Sequence, residues 1–192
     1  FVLKEWARGQ RLTMVRNPHH WRKDKPYLDG IEFQFITNDN TRILKLRSGE
    51  VDVVESIPFS QVDALDKGGE TRVEVAPLAS IDAVFLNNKY APFKDKRVRQ
   101  ALNYATDKNA INRAVFFGHA QVADALYPFF AYDDKAVKPY PYDMKKAKAV
   151  LASSSFPKGF KVEILLPSGD QTKAQMMSIV KQLWAPLGVD VS

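Results

Sequence analysis

His19, His20 and His119 are the side chains of this sequence best suited to holding a metal or moving a proton near neutral pH. A helical zinc hydrolase needs two histidines one turn apart with a glutamate beside the first. His19 and His20 are instead adjacent and follow Pro18, so they belong to a turn and diverge. His119 comes directly after Gly118, where its cationic form suits the carbonyl end of a helix. No metal site is expected from them. Ser153, Ser154 and Ser155 line up hydroxyls, but no G-x-S-x-G turn lifts one out as a nucleophile. Gly68-Gly69 lacks the lysine and serine of a phosphate-cradling loop. Asp63/Asp66 and Asp133/Asp134 could share acid–base work. Sequence spacing alone does not set two carboxylates across a substrate, and surface loops explain both pairs. The chain has no cysteine, which removes thiolate catalysis, thiolate metal sites and disulfides. The expectation is a protein that is not an enzyme, with no cofactor and no metal.

What remains is binding chemistry. Asp82 opens an otherwise apolar run, expected as a strand over 82–86. Phe85 lies just before Asn87-Asn88, and Ala83 shares its face two residues away. Glu55 and Ser56 leave a second short apolar run, over 51–54. Trp21, Phe33, Phe35, Tyr104, Phe116, Phe117 and Trp184 recur at strand or helix spacing, and core packing accounts for most of them.

The elements that must position these residues are legible from local chemistry. A hairpin is expected over 2–6 and 11–16 around Arg8-Gly9-Gln10, and a half-buried strand over 31–36 from its alternation. Asp39 or Asn40 caps a helix that runs through 46 and is ended by Ser48-Gly49. A short helix follows over 60–65, then a strand over 72–75 closed by Pro77. Asp95 caps a helix with Val98, Ala101, Leu102 and Ala105 inward, and Asp107 caps a second whose apolar positions are Ile111, Ala114, Val115 and Phe116. Gly118 is a left-handed terminator of that second helix. Residues 128–141 carry loop chemistry. Asp143 caps a helix through 151, a strand follows over 161–166, and Asp170 or Thr172 caps the last helix. Met176, Met177, Val180, Leu183, Trp184 and Leu187 make its apolar stripe. Strand, helix and strand in that order predict a parallel crossover.

At 192 residues, with 45% hydrophobic and 26% charged residues, the composition is that of an ordinary globular chain of one domain or two small ones. No apolar run approaches the roughly 18–20 residues of a membrane span. The net charge of +6 raises nucleic-acid binding as a class. The basic residues alternate with Asp and Glu, and no basic–aromatic stripe or known motif accompanies them, so no nucleic-acid partner is expected.

Residues 86–111, LNNKYAPFKDKRVRQALNYATDKNAI, carry a pattern of another kind. Asn88, Pro92, Phe93, Asp95, Arg97, Val98, Arg99, Gln100, Ala101, Leu102, Asn103, Tyr104, Ala105 and Asp107 write N-x-x-x-P-F-x-D-x-R-V-R-Q-A-L-N-Y-A-x-D. Three further segments fall in order around it: FVLKEWARGQRLTMVRNPHHW, LRSGEVDVV and YDMKKAKAVLASSSFPKGFKVEILLPSG. Together they resemble the extracytoplasmic solute-binding proteins of family 5, the receptors of peptide and nickel ABC importers. His20 stands where that family usually has tyrosine.

The resemblance implies an α/β fold of the periplasmic-binding-protein-like type II class, two-lobed and of cluster C, here as an incomplete fragment. Residues 1–80 would be part of lobe one, with a hinge strand near 77–81 formed by Pro77, Leu78, Ala79 and Ser80. Residues 81–192 would begin lobe two, with export signal, insert domain and C-terminal part outside the chain. Glu55, Ser56, Asp82, Ala83 and Phe85 become candidate ligand-cleft residues, while the main ligand anchors lie elsewhere. The implied function is capture of an oligopeptide or dipeptide for a membrane permease, in the periplasm or attached to the cell surface. The same fold with nickel chelate, heme or oligosaccharide as ligand is the alternative, and a basic nucleic-acid-binding module is the alternative of another class.

Overall fold

The computed structural model describes residues 1–76, 78, 80–123 and 138–192. They form two compact units, Phe1–Val73 and Glu74–Ser192. The boundary falls a few residues ahead of the hinge segment expected from sequence.

In the first unit, β1 (Val2–Ala7), β2 (Arg11–Val15) and β3 (Gly30–Gln34) make an antiparallel sheet in that order. Gly9, at φ 73°, supplies the left-handed residue of the hairpin turn, and Gln10 N–H donates to the Ala7 carbonyl at 3.0 Å. Trp6, Leu12 and Phe33 lie side by side across the three strands. α1 (Asp39–Arg47) and α2 (Phe59–Lys67) follow. The cap of α1 is Asn38, one residue before Asp39 and two before Asn40, the expected candidates, and its side chain accepts from Thr41 N–H at 3.0 Å. Asn38 has the extended backbone that a cap requires, whereas Asp39 is already inside the first turn. Ile43, Val62 and Leu65 are the buried apolar side chains among this unit's described residues.

The second unit is helical around one core. It contains α3 (Ala91–Lys94), α4 (Lys96–Ala105), α5 (Lys108–Val115), α6 (Met144–Ala152), β4 (Phe160–Val162), α7 (Gln171–Trp184), a 3-10 turn (Ala185–Leu187) and β5 (Val189–Val191). Asp95, Asp107, Asp143 and Asp170 each accept a backbone N–H at a helix start, at 2.9, 2.8, 2.8 and 2.9 Å. Val98, Ala101, Leu102 and Ala105 of α4 are wholly buried, against Ala147 and Leu151 of α6 and Val180 and Trp184 of α7. Trp184 Nε1–H donates to Thr106 Oγ1 at 3.0 Å, so the buried indole keeps its partner. β4 and β5 pair in parallel across α7, Phe160 facing Val189, as the crossover predicts. At Gly159 the backbone passes so close to Gly188 that a Cβ would sit 2.1 Å from the Gly188 carbonyl oxygen, which leaves no room for a side chain.

The sequence overstates the strands. Runs 51–54, 72–75 and 82–86 join no ladder, and β4 stops at Val162 instead of continuing to 166. An extended run becomes a strand only when another segment comes within about 4.8 Å with free N–H and C=O groups. Among the described residues none does so for those three runs. The loop expected over 128–141 lies outside the described residues from 128 to 137, including Asp133 and Asp134.

Candidate functional site

The candidate binding residues fall on two segments, one in each unit. In the second unit, 81–86 leads into the Asn87–Tyr90 turn, where Asn87 Oδ1 accepts from Lys89 N–H at 3.0 Å. Val84 and Leu86 pack against the core. Alternation then sends Ala83 and Phe85 outward together, and Phe85 is 83% exposed. A phenyl ring so exposed at the edge of a well-packed unit offers a flat apolar surface to a ligand or to another element. Asp82 has the other parity. Its carboxylate lies 3.7 Å from Lys173 Nζ, which also reaches the α7 cap Asp170 at 2.6 Å. That short contact holds the Asp170 carboxyl below its ordinary range and raises the Lys173 ammonium. Lys173 was not singled out in the sequence, because it stands far along the chain from Asp82 and carries no motif.

In the first unit, Glu55 and Ser56 are both exposed. Ser56 has φ 56°, unusual for a residue with a side chain. Its carbonyl accepts from Arg42 Nη2–H at 2.9 Å. Of the hinge residues, Leu78 and Ser80 are exposed, and Pro77 and Ala79 lie outside the described residues.

The residues set aside on chemical grounds have structural partners. His20 stacks on Trp21 with ring centroids 5.8 Å apart. Ser153 and Ser154 hydroxyls donate to the Val150 and Leu151 carbonyls at the end of α6. Ser155 donates twice to Asp95, from its N–H at 2.8 Å and its Oγ at 2.9 Å. Arg97 forks onto the same carboxylate at 3.2 and 3.0 Å. The Arg97 guanidinium first, and then the Ser155 N–H, hold the Asp95 carboxyl well below the usual carboxylate range. This cluster ties the α6–β4 connection to the start of α4. Among the described residues no three His, Asp or Glu side chains converge as a metal site would need.

The described residues include two open concavities. One, of about 490 Å³, lies in the first unit between Trp21, Tyr27 and Leu28, with Arg22 over the Trp21 ring and Lys25 over the Tyr27 ring. The other, of about 270 Å³, lies in the second unit along Lys96, Arg99, Gln100 and Asn103. Neither contains Glu55, Ser56, Asp82, Ala83 or Phe85.

The sequence profile of the bacterial extracellular solute-binding proteins, family 5 (middle section), matches residues 1–192, and the chain belongs to that family. The glutathione-binding protein GsiB of Salmonella typhimurium is 27% identical over 189 residues, 98% of this chain and 37% of the relative. The periplasmic binding protein DppA of Helicobacter pylori, solved with the peptide STSA, superposes with a TM-score of 0.80 at 28% identity, over 99% of this chain and 37% of that one. The binding protein AgaA of A. tumefaciens R10, solved with agropinic acid, superposes at 0.82 and 29% identity, over 99% and 39%. The fold is therefore of the periplasmic-binding-protein-like type II α/β class. The chain spans about 37% of the length of the curated relatives it matches.

Proposed function

We propose that this chain supplies part of the solute-binding cleft of an ABC importer receptor that captures a peptide-like solute outside the cytoplasm and delivers it to a membrane permease. The observation that carries this reading is the family match over the whole of residues 1–192. On this reading residues 1–80 belong to lobe one and 81–192 to lobe two, and the segment 77–80 is the hinge about which solute closes them. Glu55 and Ser56 form one edge of the cleft. Asp82, Ala83 and Phe85 form another, with Phe85 as an apolar wall. The protein acts by binding and release, without a chemical step.

A second reading keeps the fold and changes the solute to a non-peptide one, such as a metal chelate, heme or an oligosaccharide. It is favoured by the similarity to a protein solved with agropinic acid. Thermal shift of the whole protein carrying this chain separates the two. The panel is glutathione, Ser-Thr-Ser-Ala, di- to pentapeptides, nickel–histidine, heme and oligosaccharides. Stabilisation by glutathione or a peptide class supports the first reading. Stabilisation by chelate, heme or sugar alone replaces it with the second. Silence across the panel together with salt-sensitive nucleic-acid binding overturns both.

A further inference from the structure

The run 52–57 has no ladder, and among the described residues one hydrogen bond reaches it from a neighbouring element. That bond comes from Arg42 on α1. Its Nη2–H donates to the Ser56 carbonyl at 2.9 Å and to Asp39 Oδ1 at 2.7 Å, and its Nη1–H donates to the Ile36 carbonyl at 2.8 Å. The side chain is only 19% exposed, and Nε is buried without a partner. A planar, rigid fork can serve these acceptors at once, and an ammonium group cannot reproduce its geometry. The orphaned Nε indicates that the Nη contacts set where the fork sits.

Ser56 has the left-handed backbone that a residue with a Cβ resists, so the turn needs an external hold. The small core of this unit cannot provide it, because Glu55 and Ser56 are both exposed. We infer that Arg42 is a positioning residue for solute binding: by fixing the Ser56 carbonyl to the start of α1, it sets the direction in which Glu55 and Ser56 face the cleft. The inference rests on the reading of those two residues as a cleft edge. Arg42 carries no motif, since the Ile36 and Ser56 carbonyls it reaches leave no mark in a local pattern.

The test uses the whole protein carrying this chain, with three readouts: calorimetric Kd for glutathione and Ser-Thr-Ser-Ala, Tm, and amide exchange over 55–57. Arg42→Lys is expected to weaken binding about tenfold or more and to speed exchange over 55–57. Arg99→Lys is the control. Arg99 also donates to backbone carbonyls, of Phe93 and Lys94, so this variant lowers Tm without changing Kd. Ser56→Val strains the left-handed backbone directly and is expected to reproduce the loss with Arg42 intact, which keeps the test valid if Arg42→Lys fails to fold. Unchanged exchange over 55–57 in Arg42→Lys shows that Arg42 does not hold the turn and overturns the inference. Faster exchange with unchanged Kd shows a structural role only and also overturns it. If the native protein binds neither probe, the peptide reading fails and takes the inference with it, while the exchange data still report whether Arg42 holds the turn.

Discussion

The two units are built on opposite terms. Among its described residues the second packs 15 buried apolar side chains into one cluster fed by five helices, the 3-10 turn and β5. The first buries three among its described residues and leaves Leu3, Trp6, Phe33 and Phe35 of its sheet region exposed. Helices can stack their apolar stripes on one another within a short stretch of chain, whereas a three-stranded sheet needs a second layer to cover its face. Polar contacts in the first unit include the Arg42 fork, the Lys45–Glu50 pair at 2.9 Å and the Arg11–Glu5 pair at 3.0 Å, the last exposed and so worth little in stability.

Removing core volume from the second unit gives the largest contrast. Leu102 is 1% exposed, and Leu102→Ala is expected to cost about 2–5 kcal/mol in denaturant unfolding of that unit. A loss of only a few tenths would break the comparison. Next comes Thr106→Val, which strands the buried Trp184 indole N–H and is expected to cost about 1–3 kcal/mol by the same measurement. Asp95→Asn keeps a capping side chain but removes the charge on which Arg97 and Ser155 converge. It lowers the Tm at neutral pH. Because the folded carboxyl lies below its unfolded value, its contribution is complete above about pH 3.9 and is lost as pH falls towards the folded value. The Tm gap between native protein and variant should therefore narrow on acidification below that point. A gap that widened would contradict the assignment. Smallest is Trp6→Ala in the first unit. Its ring is 58% exposed with Arg8 at 5.3 Å, so the loss should stay below about 1 kcal/mol.

The same contrast decides what was legible in the sequence. Asp95, Asp107, Asp143 and Asp170 are readable as caps because a cap bonds within three residues of itself. The stripes of α4 and α7 are readable because burial on a helix repeats locally. Strands 51–54, 72–75 and 82–86 are not, since a ladder depends on a partner that the run itself does not specify. At the candidate site, the outward pairing of Ala83 with Phe85 follows from alternation alone. The Lys173 contact with Asp82, the Arg42 hold on Ser56, and the Asp95–Ser155 tie between residues 60 apart are tertiary facts without a local signature. The difference between Asn38 and Asp39 as the cap of α1 is one of backbone angle, which neighbouring cap-forming side chains do not reveal.

Solute-driven closure about the 77–80 hinge is the central claim, and this chain holds no cysteine that would compete for a label. Leu44→Cys and Arg113→Cys, both at exposed helical positions and one in each unit, take spin labels in the whole protein carrying this chain. The distance distribution between them is then recorded with and without the solute that the thermal-shift panel identifies. The account predicts that saturating solute shifts and narrows the distribution. A distribution unchanged at a solute concentration that saturates binding would contradict it.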